Sequence, residues 1–163
     1  HAMDIDDDWS LAVASGKLIV AANNALWIAN SRGISNFASV SHNTASLVAD
    51  TEENILLCGH SNDGDVVVSK WSSEGEELWT VEHETEESNS KLISCEAGLD
   101  NTIHLAVKRE NDTTLDVMLL HSKDGSVLWN DAHTFDTDFV LNDMFFNSSA
   151  ESFKVIVTLA GSG

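Results

Sequence analysis

The octapeptide SKDGSVLW at 122–129 decides the fold of this chain, because a close variant, SSEGEELW, stands 50 positions earlier at 72–79. In both stretches a glycine precedes a Leu-Trp pair, and the spacing from glycine to aromatic residue is the same. A period of this size is typical of architectures in which repeated units stack on one another. The glycine and aromatic pairs are Gly75 with Trp79, Gly125 with Trp129 and, in a weaker upstream copy, Gly33 with Phe37.

Each repeated unit divides into short apolar segments separated by polar breaks. In the unit at 44–83 the segments are ASLVA, NILLCG, DVVVSKW and EELWTVE, and the breaks between them have the length and composition of hairpin turns. The unit at 90–133 divides in the same way. A shorter unit at 10–41 precedes them, and 139–160 supplies the first two strands of a fourth. The pattern predicts four-stranded antiparallel sheets that stack face to face.

The six repeated glycine and aromatic residues are predicted to be packing residues. A small sheet cannot bury both of its faces alone, so stacked copies bury them together. A large aromatic side chain near the start of the fourth strand fills the space between neighbouring sheets, and the preceding glycine supplies the turn. Trp79 and Trp129 are therefore expected to pack rather than to form a ligand platform.

The third and fourth strands of the two full units resemble the repeats of quinoprotein-type β-propellers, in which a glycine and a tryptophan close each unit. The unit at 90–133 also resembles the bacterial β-propeller repeat found in surface and secreted proteins. The resemblance implies an all-β chain, a partial β-propeller of about three and a half four-stranded antiparallel blades. The resemblance implies the propeller fold but not the dehydrogenase activity of quinoproteins, because no residues here match the cofactor-binding and calcium-binding set of those enzymes.

A narrower likeness concerns KLIVAANNALWIANSRG at 17–33 and TTLDVMLLHSKDGSVLW at 113–129. These stretches are similar, in the same order, to the start of the lumenal propeller in the large first subunit of the endoplasmic reticulum membrane protein complex. That propeller is a non-catalytic lumenal scaffold. The likeness therefore implies a non-enzymatic role.

The charge of the chain restricts its partners. The formal net charge is −19, from 27 acidic and 8 basic side chains, which disfavours unassisted binding to nucleic acid or to an anionic membrane. No apolar run is long enough to insert into a membrane. A basic or cationic partner fits better. The alternative is that the charge serves only solubility or adaptation to a salty setting.

Many of the acidic residues are predicted to share one face. Links between the second and third strands, and links between successive units, emerge on the same side of a stack of antiparallel sheets. We expect this acidic face to bind a basic protein segment or a divalent cation, the alternative being a solvated surface. Its members are Asp63, Asp65, Glu82, Glu84, Glu86, Glu87, Asp112, Asp131, Asp136 and Asp138.

No built metal or cofactor site is expected. Asp4, Asp6 and Asp8 resemble the opening of an EF-hand loop, but Trp9 stands where that loop requires glycine, so an EF-hand is rejected and at most weak Ca²⁺ binding by loose carboxylates is expected there. His83 and His133 recur because the unit recurs, and a structural role is expected for each.

The two cysteines, Cys58 and Cys95, are too few for a disulfide framework. Both lie in apolar segments, and they are expected to be buried small hydrophobic residues. Asn111 and Asn147 fit the glycosylation acceptor pattern, which would matter only in a secreted or lumenal protein. Such a location, or the cell surface, is favoured by the repeat type.

The chain is predicted not to be an enzyme, because motifs for a serine nucleophile, a zinc protease and a phosphate loop are all missing. The alternative is a fragment of a larger propeller enzyme, quinoprotein-like or carbohydrate-active, with its catalytic residues in blades that are not part of this chain. Two acidic side chains facing the central channel would mark a propeller glycosidase, but the sequence alone does not place candidates such as Asp50 or Glu96 there.

Residues 1–3, His-Ala-Met, are interpreted as an expression scar, and 4–163 as one β-propeller-like domain. An incomplete ring leaves open blade edges, and such edges pair with other chains. We therefore expect self-association, in which two copies of about three and a half blades would complete a ring of about seven.

Overall fold

The computed structural model describes residues 9–22, 24–30, 33–84, 90–109, 113–147 and 152–159, which form strands and turns. Within these ranges no helix has the length and hydropathy needed to cross a membrane. The strands are β1 (Trp9–Ala14), β2 (Lys17–Ala22), β3 (Ala25–Asn30), β4 (Gly33–Ser39), β5 (Asn43–Ala49), β6 (Ile55–His60), β7 (Val66–Trp71), β8 (Glu77–His83), β9 (Ser90–Ala97), β10 (Thr102–Arg109), β11 (Thr114–His121), β12 (Val127–Thr134), β13 (Phe139–Asn147) and β14 (Ser152–Leu159).

Consecutive strands pair as antiparallel meanders. In the described residues they form three four-stranded sheets, β1–β4, β5–β8 and β9–β12, and one two-stranded sheet, β13–β14. The first strands of successive sheets, β1, β5, β9 and β13, lie next to one another in that order. Each sheet is therefore one blade, with its first strand innermost. The predicted all-β partial propeller is confirmed.

The hydrophobic cores lie between successive blades rather than inside any one of them. The second and third strands of the second blade are buried on both faces, as are most residues of β10, because each blade has a neighbour on either side. The first and second blades bury Ile19, Leu26, Leu57 and Trp71 between them; the second and third bury Leu56, Val68, Ile103 and Leu105; the third and fourth bury Ala106, Leu115, Phe139 and Leu141.

The repeated glycines receive the repeated aromatic side chains across the blade interfaces. Gly75 turns with φ +88°, and a Cβ placed on it would lie 2.9 Å from Cε2 of Phe37 in the first blade. Gly125 turns with φ +71°, and its Cβ would lie 3.0 Å from Cζ3 of Trp79 in the second blade. Glycine is needed at both turns for its positive φ and for its missing side chain. The aromatic residue of one blade therefore docks on the glycine turn of the next.

The change Gly125→Ala is expected to lower the free energy of unfolding by about 2–3 kcal/mol, because the new methyl group would meet Val81 Cγ2 at 2.6 Å as well as Trp79. Chemical denaturation measures the loss. Gly16→Ala is the matched control, since Gly16 has φ +68° and its Cβ would meet nothing within 4 Å. It should cost only the strain of the left-handed backbone, about 1 kcal/mol. Equal losses in the two variants would show that the aromatic contact contributes nothing.

The expectation that the two cysteines are separate hydrophobic residues is wrong, because they form a disulfide. Cys58 on β6 and Cys95 on β9 have their Cα atoms 6.3 Å apart and are joined through their sulfurs. Both are buried, as their apolar contexts predicted. The stacking of the second and third blades brings the two strands together, so the bond crosses a blade interface.

Trp129 does not make the packing contact that was expected of it within this chain. Its side chain is 46% exposed, and every residue of β12 is exposed. Trp129 is exposed because the described strands of the fourth blade, β13 and β14, are its inner two. They cover only the inner half of the third blade.

Candidate functional site

The acidic face predicted from the sequence is formed by the links β6–β7, β8–β9, β10–β11 and β12–β13, which the meander topology places on one side of the blades. The described members that are exposed are Asp63, Glu82, Glu84, Asp131, Asp136 and Asp138, while Asp65 is partly buried. Three further members, Glu86, Glu87 and Asp112, lie outside the described residues.

A cleft of about 400 Å³ opens on the acidic face between the second and third blades. Glu84, at the end of β8, lines one side, and residues of β10, β11 and β12 line the other. The acidic residues Glu84, Asp116 and Asp131 all line it. The blade interface therefore brings together acidic residues that are up to 47 positions apart in the sequence.

Two cations lie among these acidic residues. Arg109 Nε donates a hydrogen bond of 2.7 Å to Asp116 Oδ2 in the cleft wall. Lys108 Nζ lies 2.9 Å from Asp138 Oδ1 and 5.2 Å from the ring centre of Phe139. Hydrogen bonds from Lys108 and from the Phe139 backbone lower the pKa of Asp138. Among the acidic residues of the cleft, Glu84 and Asp131 therefore form no salt bridge with a described lysine or arginine side chain.

The described part of the chain contains no group of three or more His, Cys, Asp or Glu side chains placed to hold a metal ion. The stretch with Asp4, Asp6 and Asp8 lies outside the described residues, so weak Ca²⁺ binding there stays a prediction. The carboxylates of the cleft can attract a positively charged side chain, but they do not form a compact metal cage.

Three of the histidines have packing contacts or buried positions that indicate structural roles. His133 packs edge-on against Phe135, with ring centroids 4.7 Å apart. Burial lowers the pKa of His83, whose Nε2 is buried without a hydrogen bond in the structure. Burial, and then the charge of His60, lower the pKa of His42 to about 4. The stability that neutral His42 contributes is complete above about pH 6.5 and is lost as the pH falls toward 4.

The opposite face of the blades carries a buried ion pair that the sequence did not reveal. Lys70 Nζ lies 2.7 Å from Asp50 Oδ2, and both side chains are 7% exposed. Lys70 also donates to the carbonyl and the hydroxyl of Ser122 in the third blade, at 3.2 and 3.0 Å. Burial acts to raise the pKa of Asp50, but hydrogen bonds from Lys70 and Asn54 outweigh it and hold the pKa below its usual range.

These contacts give Asp50 a structural role in the β5–β6 turn, so it is not a candidate for a channel-facing acid. Glu96 lies on β9, an innermost strand, and is partly buried.

A cavity of about 500 Å³ adjoins Lys70, between the second and third blades, and Trp79 and His121 line it as well. Two lysines line this cavity, and the buried one, Lys70, is held by Asp50 and Ser122. The acidic cleft, which gathers three acidic residues, is the candidate binding site on the acidic face.

Solved structures with the same fold include three proteins from different organisms. Hydrazine synthase of Kuenenia stuttgartiensis superposes with a TM-score of 0.61 at 11% identity over 81% of this chain. A protein of unknown function from Bacteroides caccae gives 0.60 at 13% over 88%, and BamB from Moraxella catarrhalis gives 0.54 at 9% over 74%. This chain spans 40%, 52% and 36% of those three chains, respectively. At these identities the likeness shows the β-propeller fold alone.

No protein-family model and no curated protein matches this chain. The likeness to the lumenal propeller of the endoplasmic reticulum membrane protein complex therefore stays a prediction.

Proposed function

We propose that this chain is a non-enzymatic β-propeller segment that acts as a protein-interaction scaffold, with the acidic face as its partner-binding surface. The observation that carries the proposal is the cleft between the second and third blades, which Glu84, Asp116 and Asp131 line together. Only Asp116 is paired with a cation of the cleft wall. A net charge of −19 adds a long-range attraction for basic segments.

The partner that this cleft fits is a basic segment of another protein. A Lys or Arg side chain can enter a cleft of about 400 Å³ and meet Glu84 on one side and Asp131 on the other. Exposed charges around the opening steer such a segment and set its rate of association more than its final affinity. Binding through this face is therefore expected to weaken with salt.

An octa-arginine peptide is the probe for this face. The double change Glu84→Gln and Asp131→Asn is expected to weaken its binding about tenfold at low salt and to flatten the dependence of affinity on salt. Isothermal titration at several salt concentrations measures both quantities.

The control is Glu76→Gln with Glu77→Gln, which removes the same charge from exposed residues around the β7–β8 turn, where the chain emerges on the opposite face. At about 0.15 M salt it should leave the affinity within about twofold, because the screening length there is only about 8 Å. If both double variants weakened binding equally, the peptide would be responding to net charge, and the acidic face would have no special role.

We also propose that the chain self-associates through its two open flanks. On β1 the exposed side chains of Trp9, Leu11 and Val13 alternate with residues that pack on the second blade. On the other flank Val140 and Ile156 are exposed on β13 and β14. Because β13 and β14 take the innermost positions of a fourth blade, two joined copies would give eight blade positions, not the seven expected from the sequence.

Light scattering over a concentration series tests the self-association, and a dimer that is stable on dilution is expected. Val13→Asp places a charge on the apolar flank of β1 and should give a monomer. Leu99→Asp changes an equally exposed residue in the β9–β10 turn, away from both flanks, and should leave the dimer intact. A wild-type monomer at the highest concentration would refute the association.

The proposed location is an oxidising compartment: the exterior, the cell surface or the lumen of the endoplasmic reticulum. The disulfide between Cys58 and Cys95 supports it, because such bonds persist mainly in these settings. Expression in an oxidising and in a reducing compartment, followed by thiol counting, tests this proposal. Two free thiols in protein from the native source would contradict it.

A fragment of a larger propeller enzyme is the second candidate. It is favoured by one observation: the chain spans only 36% to 52% of the chains that it superposes on, one of which is named as a synthase. The full reading frame around this sequence separates the two candidates. Further blades with clustered Asp, Asn and Arg would support the enzyme, whereas membrane anchors or adhesion modules would support the scaffold.

A further inference from the structure

The cavity of about 500 Å³ between the second and third blades lies on the face opposite the acidic face, where the turns β5–β6, β9–β10 and β11–β12 supply most of its wall. Two of the chain's eight lysine and arginine side chains line it, Lys70 and Lys123. Glu52 is the one acidic residue among its described lining residues. The cavity therefore differs in charge from the acidic cleft.

The third blade departs from the repeat at this cavity. His121 corresponds to Trp71 of the second blade, because each is the last residue of the third strand and each is followed by a serine. Trp71 is buried in the core between the first and second blades. At the equivalent place between the second and third blades, the smaller imidazole of His121 lines an open space. A position that is filled in one interface is thus part of a pocket in the next.

A bulge in β8 directs two apolar side chains toward this space. Lys70 pairs with Trp79 and Trp71 pairs with Glu77, so Leu78 is an extra residue in the strand. Strand alternation would place the consecutive residues Leu78 and Trp79 on opposite faces. Both of them line the cavity instead, because a bulge changes the direction in which side chains point.

Ser122 fixes the shape of the cavity. Its carbonyl accepts hydrogen bonds from Lys70 Nζ at 3.2 Å and from Trp79 Nε1 at 3.3 Å. Its amide donates to the carbonyl of Asn101 at 2.8 Å. These bonds tie the second blade to two turns of the third. A pocket that is already formed requires little ordering when a ligand enters it.

The cavity offers hydrogen-bond donors at its third-blade side. The Nδ1 atom of His121 accepts the backbone N–H of Lys123 at 3.0 Å, so the neutral ring carries its hydrogen on Nε2. Lys123 is exposed, and its ammonium group forms no salt bridge within the described part of the chain. The neighbouring carboxylate of Asp124 accepts two hydrogen bonds from Ser126 and does not line the cavity. An ammonium group in this position binds a carboxylate through charge-assisted hydrogen bonds.

We infer that this cavity is a binding site for an acidic sugar, a hexuronate unit of a glycan. The carboxylate of the sugar binds Lys123, and the apolar face of its ring lies against Leu78 and Trp79. Its hydroxyl groups exchange hydrogen bonds with Glu52 and Asn54 of the β5–β6 turn, which also line the cavity. The volume lies within the range of about 300–1,000 Å³ that is usual for small-ligand sites.

A sugar is favoured over an acidic peptide by the arrangement of the polar groups. They come from three separate turns around one compact space, which suits a ring with hydroxyl groups on several sides. An extended peptide would instead need polar groups along one groove or strand edge.

Isothermal titration of the whole chain with D-glucuronate at about 0.15 M salt tests the site. At this salt the repulsion from the net charge of −19 is screened beyond about 8 Å, so the groups of the cavity dominate. Saturable one-to-one binding is expected at about millimolar concentration, as for a ligand with few atoms. Glucose lacks the carboxylate and acetate lacks the ring, so each should bind at least about tenfold more weakly.

Two variants restore the residues that the second blade has at these positions. Lys123→Ser introduces the equivalent of Ser73, and it should weaken glucuronate about tenfold and make it bind no more tightly than glucose. His121→Trp should fill the cavity, as Trp71 fills the preceding interface, and abolish binding. Lys154→Ser is the matched control, because it removes the same charge from an exposed position on β14 and should leave the affinity within about twofold. Denaturant titration verifies that each variant is folded.

Three results would overturn the inference: no saturable binding of glucuronate at tens of millimolar, equal binding by the wild type and Lys123→Ser, or binding of acetate or tetraglutamate at least as tight as that of glucuronate. The last result would identify a general anion site or a site for an acidic peptide. None of these variants changes Glu84 or Asp131, so the octa-arginine experiment can fail or succeed independently of this one.

Discussion

Replacement of Lys70 by methionine is expected to lower the free energy of unfolding by about 3–5 kcal/mol at pH 7, because it leaves the buried carboxylate of Asp50 without its cation. The change also removes two hydrogen bonds that join the second blade to Ser122 of the third. Methionine keeps much of the volume of the lysine chain, so the loss reports on charge and hydrogen bonding rather than on a cavity. Denaturant titration measures it.

Lys17→Met is the control, because Lys17 pairs with Glu74 at 3.1 Å with side chains that are 32% and 77% exposed. Such a surface pair contributes about 0–1 kcal/mol. A loss at Lys70 no larger than the loss at Lys17 would contradict the structural role of the buried pair.

The pH dependence of the Lys70→Met variant supplies a second check. In the wild-type chain the pKa of Asp50 is lowered on folding, so its contribution to stability is present above the unfolded pKa of about 3.9 and is lost as the pH falls through the folded value. Without Lys70 the effect of burial is less opposed, and the pKa of Asp50 rises. The gap in unfolding free energy between wild type and variant should therefore narrow as the pH falls from the raised Asp50 pKa of the folded variant to the lowered pKa of the folded wild type.

Loss of the disulfide is expected to lower the free energy of unfolding by about 4 kcal/mol, since it releases a long loop in the unfolded chain. The two cysteines are 37 positions apart, and the bond joins the second blade to the third. The double change Cys58→Ala and Cys95→Ala should show this loss in denaturant titration. A reducing agent should lower the free energy of unfolding of the wild-type chain and leave that of the double variant unchanged.

The decisive control is a count of thiols in the denatured, unreduced wild-type protein. No free thiol is expected, and a digest without reduction should contain one linked peptide with both cysteines. Two free thiols, or a wild-type stability that does not respond to reducing agent, would contradict the bond.

The candidate site could be predicted from the sequence only in part. Strand alternation placed Glu84 and Asp131 on a common face, and the structure has both lining one cleft. The cations in that region, Lys108 and Arg109, were missed, because their partners depend on which side chains point toward each other across strands. Lys70 was missed for the same reason: it is one charged residue in an otherwise mostly apolar strand, and its partner Asp50 lies in a polar break between strands.

The sequence by itself determined the repeat, the four-stranded units and the identity of the docking residues, because hydrophobic alternation and turn glycines are local signals carried by neighbouring residues. The tertiary structure alone decided which residues meet between blades. It joined Cys58 to Cys95, buried Lys70 against Asp50, and left Trp129 exposed. These contacts are non-local: they depend on the stacking of whole blades, and the pattern within a single blade does not specify them.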